Sequence, residues 1–265
     1  MKVGIAGCGW LGEKLAHQLV EEGHVVIGTT TSEQKIIDDG GFRRIQMVLG
    51  HNDFEIPQEF YDCDAFVIAF PPSAGKKKSK DYEGLVIQLL QQLPSAVRSL
   101  VLISSTGVYR GISGEVDEES EVKNVKNVLF EAEEACINQY PDQARILRCG
   151  GLFGANRIPG KYFSDKEIDD DGSNKVNYIH YKDVVKMAIR CLNEEVPHGR
   201  YNVCCPKHPT RFEVYKIAAE KTGIVPARFN PNKPASQGHL VKANKYIQVM
   251  NGSLIYESPL DFDYD

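Results

Sequence analysis

The sequence predicts an α/β protein built on a doubly wound parallel sheet, with a small C-terminal appendage on the substrate side. Three observations predict it. Strand and helix patterns alternate from the first residue, which implies parallel strands covered by helices on both faces. The first strand runs directly into a glycine-rich turn that opens a helix. The segment Asp64 to Phe70 is apolar enough to lie at the centre of a sheet.

Each element has its own signal. Lys2 to Ala6 is the first strand, and its direct passage into the glycine turn marks it as structural, not as a signal peptide. Glu13 to Glu22 is helical, with Leu15, Ala16, Leu19 and Val20 on one face, and Gly23 stops it. His24 to Thr29 is the second strand. A short helix is expected over Glu33 to Asp38, ended by Gly40-Gly41. Arg43 to Leu49 and Asp64 to Phe70 are strands, the latter closed by Pro71-Pro72. A helix is expected over Asp81 to Leu93, a strand over Ser99 to Ser104, a helix over Val122 to Gln139 and a strand over Ala144 to Cys149.

The rhythm then loosens. Residues 150–176 are rich in Gly, Pro and Asp and read as an irregular excursion on the substrate side. Tyr181 to Asn193 is helical, Arg200 to Cys204 a strand, and Arg211 to Lys221 a helix stopped by Gly223. Val225 to Gln237 shows no clear periodicity. The expected division is a nucleotide-binding domain over 1–205 and a small C-terminal region over 206–265.

Composition narrows the class. A chain of 265 residues with 42% hydrophobic and 25% charged residues is an ordinary globular protein. Its net charge of −5 argues against nucleic-acid or membrane-surface partners. No apolar run approaches the ~20 residues of a membrane helix. The seven cysteines form no C-x-x-C pair, and most sit in apolar segments such as those around Cys136, Cys149 and Cys191. They read as small buried hydrophobes in a reducing, cytoplasmic compartment.

Gly7-Cys8-Gly9-Trp10-Leu11-Gly12 is G-x-G-x-x-G between a strand and a helix. Gly7 permits a tight turn, Gly9 lets a pyrophosphate approach the backbone, and Gly12 lets helix and strand pack closely. The amides and dipole of the helix start attract the anion. The motif predicts a Rossmann-type NAD(P) site, with Trp10 and Leu11 beside the cofactor. Such units usually carry an acid at the tip of the second strand, bonded to the ribose 2′-hydroxyl. Here the tip reads Gly28-Thr29-Thr30-Thr31-Ser32. Hydroxyls at Thr30, Thr31 and Ser32 suit a 2′-phosphate better than an Asp does, so NADP(H) is expected ahead of NAD(H). Thr31 and Ser32 equally suit a helix N-cap.

Four later segments carry a resemblance: Val101-Leu102-Ile103-Ser104-Ser105-Thr106-Gly107-Val108-Tyr109, Leu147-Arg148-Cys149-Gly150-Gly151-Leu152-Phe153-Gly154, Asn177-Tyr178-Ile179-His180-Tyr181-Lys182-Asp183-Val184, and Gly199-Arg200-Tyr201-Asn202-Val203. In this order, after the glycine motif, they resemble the extended or atypical short-chain dehydrogenase/reductases, in particular their NAD-dependent epimerase/dehydratase-like branch. The resemblance covers Met1 to about Gly223. It implies a cofactor site that includes Phe70, Pro71 and Ser104, and a hydroxyl at Ser105 or Thr106 that orients a substrate oxygen. It also implies a Y-x-x-x-K pair on the next helix, where a Lys cation lowers the Tyr pKa towards neutrality.

That pair is missing. Anchored on Ala132-Glu133, the Tyr position holds Val125 and the Lys position Leu129. Tyr109 and Lys126 remain as a candidate substitute pair. Lys76-Lys77-Lys78-Ser79-Lys80 reads either as a loop for an anionic substrate or as a solvated loop ahead of a helix. Asp169-Asp170-Asp171-Gly172 lacks the spacing of a calcium loop and reads as a turn. Two functions follow: an NAD(P)-dependent oxidoreductase or epimerase/dehydratase-like enzyme acting on a small molecule with non-standard residues, or a catalytically idle NAD(P)(H)-binding sensor.

Overall fold

The computed structural model describes residues 1–39, 41–51, 53–72, 81–123, 127–235 and 238–263. In chain order its elements begin β1 (Lys2–Ala6), α1 (Trp10–Glu21), β2 (Val25–Thr30), β3 (Ile37–Asp39), β4 (Phe42–Gln46), α2 (Gln58–Tyr61), β5 (Ala65–Ile68) and α3 (Tyr82–Leu90). They continue with β6 (Ser99–Ser105), β7 (Gly114–Val116), α4 (Val128–Gln139), β8 (Ala144–Cys149), β9 (Gly151–Phe153), β10 (Glu167–Ile168) and β11 (Tyr178–His180). The last are α5 (Tyr181–Leu192), β12 (Gly199–Val203), α6 (Arg211–Thr222), β13 (Arg228–Phe229), β14 (His239–Val241) and α7 (Asn244–Met250).

The main sheet has the order β12-β8-β6-β5-β1-β2-β4-β3. β1 pairs in parallel with both β2 and β5, so the chain winds outward in two directions from β1. The ends of β1 and β5 therefore form the switch point where α/β sheets place ligands. β5 is buried at every position, which explains its unbroken apolar sequence. Phe60, Phe66, Ile68, Val86 and Leu102 pack the core around it.

Contacts divide the chain into two compact units. The first comprises Met1–Val108, Asn124–Arg148 and Val185–Arg200, and the second Tyr109–Lys123, Cys149–Val184 and Tyr201–Asp265. The second unit thus includes Tyr109–Lys123 and Cys149–Val184 besides the chain from Tyr201 onward. It contains three two-stranded parallel sheets, β9 with β11, β10 with β13 and β14 with β7. Thr210 and Glu213 form a capping box on α6, which ends at Gly223 in the left-handed region (φ +72°).

Several expectations need correction. The helix expected at Glu33 to Asp38 is a 3-10 turn, Glu33–Lys35, followed by β3. Asp39 pairs with Phe42, so only Gly40-Gly41 separates β3 from β4, a hairpin signal that outweighs local helix propensity. β3 is antiparallel, so the sheet is not wholly parallel. α4 begins at Val128, not Val122, because Asn127 caps it there. Residues 150–176 hold β9, β10 and a 3-10 turn, Lys161–Phe163. β13 lies within Val225 to Gln237, where the sequence shows no clear periodicity, and β14 and α7 follow it in the C-terminal region. At the Asp-rich turn, Asp170 and Asp171 accept from the amides of Gly172 and Ser173.

Candidate functional site

The glycine turn occupies the switch point. Gly7 has φ +91°, open only to glycine without strain. Its amide donates to Thr29 Oγ1 (3.0 Å), and the Cys8 amide to the Thr29 carbonyl (2.8 Å), so β2 holds the turn from below. A Cβ on Gly7 would lie 2.5 Å from Phe70 N, and one on Gly12 would lie 2.6 Å from Gly7 O. Packing forces both glycines. Gly9 differs: a Cβ there would meet nothing within 4 Å. The first-turn amides of a helix have no intrahelical acceptor, and no side chain caps α1 at Gly9. Trp10 is half-buried, with Lys14 Nζ 5.5 Å from its ring centroid.

The tip of β2 is bonded within itself. Thr30 Oγ1 accepts from the Ser32 amide (3.1 Å), and Ser32 Oγ donates to Gln34 Oε1 (2.8 Å). Ser32 precedes the 3-10 turn without capping it through its side chain. Thr31 is exposed.

A cation missed by the sequence reading lies beside the turn. Arg44, on β4, is 6% exposed and bonds Glu13 Oε1 through Nη2 (2.6 Å), above the Phe42 ring. Burial pushes the neighbouring Cys8 thiol up to about 11, against the pull of the Arg44 charge. The register Gly28–Arg44 places Arg44 next to β2, and pairing of that kind is not readable from either strand alone.

On the other side of the switch point stands β6. Ser104 Oγ donates to Glu133 Oε1 (2.6 Å), and Arg148 holds the same carboxylate in a buried ion pair. Arg200 reaches Glu133 at 3.4 Å and also pairs with Glu134. Ser105 is half-buried, and its Oγ accepts from the Gly107 amide (3.1 Å). Thr106, 8% exposed, opens a 3-10 turn that ends at Tyr109. Phe70 is buried with its ring edge-on to Tyr82, and Pro71 is exposed.

Tyr109 belongs to the second unit and is fully buried. Its hydroxyl lies 2.8 Å from both the Asp117 carbonyl and Asn202 Oδ1, an engaged packing position. Asn202 in turn donates its amide to Glu118 (2.7 Å), whose carboxyl burial holds above its ordinary range. Lys126, Val125 and Lys76 to Lys80 lie outside the described residues. His180 packs among Phe153, Tyr181, Tyr256 and Phe262, while Asp183 accepts from the amides of Ile255 and Tyr256. Both anchor the C-terminal segment within the second unit. Among the described residues no three His, Cys, Asp or Glu side chains converge to hold a metal, and no helix is long and apolar enough to cross a membrane.

The G-x-G-x-x-G turn at the switch point of a mostly parallel sheet, with the serine-rich end of β6 on its other side, is a Rossmann-type arrangement. Solved structures agree on that fold. UDP-glucuronic acid 4-epimerase from Bacillus cereus, in complex with UDP-glucuronic acid and NAD, superposes with TM-score 0.77 at 17% identity, over 98% of this chain and 96% of that one. A putative NAD-dependent epimerase/dehydratase from Methylobacillus flagellatus gives 0.75 at 23%, over 98% and 95%. The human epimerase family protein SDR39U1, with NADPH, gives 0.71 at 17%, over 98% and 97%. Protein YeeZ of Escherichia coli K12 is 30% identical over 272 residues, spanning 98% of this chain and 97% of its own. The chain belongs to the same family as Protein YeeZ. No family model matches it.

Proposed function

We propose that this protein binds a nicotinamide dinucleotide at the glycine turn and acts as an oxidoreductase or epimerase/dehydratase-like enzyme on a small molecule. One observation carries the reading. Packing explains why Gly7 and Gly12 lack side chains, whereas Gly9, the N-cap of α1, has open space where a Cβ would stand. That open approach to the uncapped amides of α1 suits a pyrophosphate. Leu11 and Trp10 flank that anion, and Phe70, Pro71 and Ser104 line the nicotinamide end. The bound cofactor supplies hydride chemistry. Ser105 and Thr106 orient the substrate oxygen.

NADP(H) is the preferred form in this reading. Arg44, in register with Gly28 on the strand next to β2, adds near this strand end the positive charge that a 2′-phosphate calls for. An anionic substrate is favoured by the UDP-sugars held in several similar structures. Free thiols at all seven cysteines favour a cytoplasmic location. A dinucleotide sensor without turnover is the second reading, favoured by the engaged hydroxyl of Tyr109, which takes it out of a substitute Tyr109–Lys126 pair.

The test uses Trp10, the single tryptophan. Titration with NADPH and NADH should give saturable quenching, tighter for NADPH. No response to either, together with no thermal stabilisation, removes both readings. Binding with oxidation of NADPH by a panel of carbonyl compounds selects the enzyme; binding without turnover selects the sensor.

A further inference from the structure

We propose that Asn127 is the positioning residue for Ser105, fixing which way its hydroxyl donates. The inference rests on Ser105 as the substrate-facing hydroxyl. A serine hydroxyl donates one hydrogen bond and accepts two. At Ser105 the Gly107 amide fills an acceptor position (3.1 Å), which leaves the O–H proton to be donated. The direction of that proton depends on where Gly107 is held.

Two contacts hold it. The Gly107 carbonyl accepts from Asn127 Nδ2 at 3.4 Å. A Cβ on Gly107 would lie 3.3 Å from Leu129 Cδ1, so the turn packs closely on the first turn of α4. Asn127 therefore does two things with one carboxamide. Its Oδ1 accepts from the Leu129 amide (3.0 Å) and caps α4, while its Nδ2 reaches the Ser105 turn. Asp caps a helix as well as Asn but has no N–H to give when ionised. The second contact explains why Asn stands here. All these residues lie in the first unit. Where the resemblance calls for a Tyr and a Lys acting on substrate, α4 instead sets the geometry of the β6 hydroxyl.

Asn127→Asp separates the two roles, because it keeps the cap and removes the donor. Hydrogen exchange in the full-length protein, resolved at the Gly107 amide and along 128–139, reads both. In Asn127→Asp the Gly107 amide should exchange about five- to tenfold faster, as expected for one lost hydrogen bond. Protection along α4 should stay within about twofold of the native protein, since the cap is kept. Ser105→Ala should give the same acceleration at Gly107 with Asn127 intact. Asn127→Ala should loosen both segments. Where the carbonyl panel gives turnover, Asn127→Asp should lower kcat with the KM for NADPH unchanged. Native exchange at Gly107 in Asn127→Asp, with α4 frayed only in Asn127→Ala, overturns the proposal and leaves Asn127 as a cap. Absence of NADPH quenching in the native protein overturns the dinucleotide reading instead, and the exchange result still decides the role of Asn127.

Discussion

Arg148 grips Glu133 through two nitrogens, with Nε 3.0 Å and Nη2 2.7 Å from Oε2, and neither side chain is more than 2% exposed. This pair joins β8 to α4, and Ser104 adds β6 through Glu133 Oε1. A buried pair costs most when one partner is removed. Glu133→Ala strands the Arg148 guanidinium away from water and should destabilise by about 3–5 kcal/mol. Glu133→Leu with Arg148→Met replaces both charges by apolar volume and should recover most of the loss, because Arg200 keeps Glu134. Urea midpoints at unchanged m measure both. A loss below about 1 kcal/mol in Glu133→Ala contradicts the assignment of a dry, fully paired site.

The three glycines of the turn should respond differently to alanine. Gly12→Ala pushes a methyl to 2.6 Å from Gly7 O and should destabilise by about 1–3 kcal/mol through overpacking. Gly9→Ala enters open space and should cost at most about 1 kcal/mol, the difference between Gly and Ala as N-caps. Its effect belongs to the ligand: NADPH binding, read by Trp10 quenching, should weaken at least about tenfold as the methyl occupies the pyrophosphate approach. Equal affinity in Gly9→Ala and the native protein would remove the pyrophosphate from this turn.

Part of this architecture is written locally in the chain. Lys2–Ala6 and Ala144–Cys149 form strands over the residues expected, because each is buried along almost its whole length. The glycine turn is equally legible, since Gly7 and Gly12 answer steric needs within a few residues or at the neighbouring strand end. Non-local pairing is what escapes. β7 and β14 are three residues each and pair across more than 120 positions, so neither carries a periodic signal of its own. Arg44 supplies charge near the end of β2 from the next parallel strand, through a register that no motif encodes. Asn127 follows the largely polar stretch Asp117-Glu118-Glu119-Ser120-Glu121-Val122-Lys123, whose good helix formers hide where α4 begins.

The thiols provide a check on the folded state as a whole. All seven cysteines are free and buried. Burial pushes Cys8 up to about 11 and Cys63, Cys191 and Cys205 up to about 12. Thiolate is the reactive form, so these groups are both inaccessible and protonated at pH 8. An aromatic disulfide reagent should therefore label no thiol rapidly in the native protein and all seven in concentrated guanidinium. Labelling of the native protein should follow the rate or extent of opening. A thiol that reacts within the mixing time would show that its segment is not packed as described.

The Arg44–Glu13 pair sets the charge available to the adenosine end of the proposed cofactor. Arg44 is nearly buried, while the Glu13 side chain is 46% exposed, so solvent screens the acid and the cation keeps part of its field. Arg44→Met retains an apolar stem over Phe42 and removes the charge. NADPH binding should weaken about tenfold, the scale of one charge-assisted hydrogen bond, with NADH nearly unchanged. Glu13→Gln takes away the carboxylate that neutralises Arg44, and should tighten NADPH by a few-fold while leaving NADH closer to its native affinity. Calorimetric titration of both nucleotides against the three proteins separates these effects. If Arg44→Met weakens both nucleotides equally, Arg44 serves only to clamp the first turn of α1, and the preference for NADP(H) loses its source of charge.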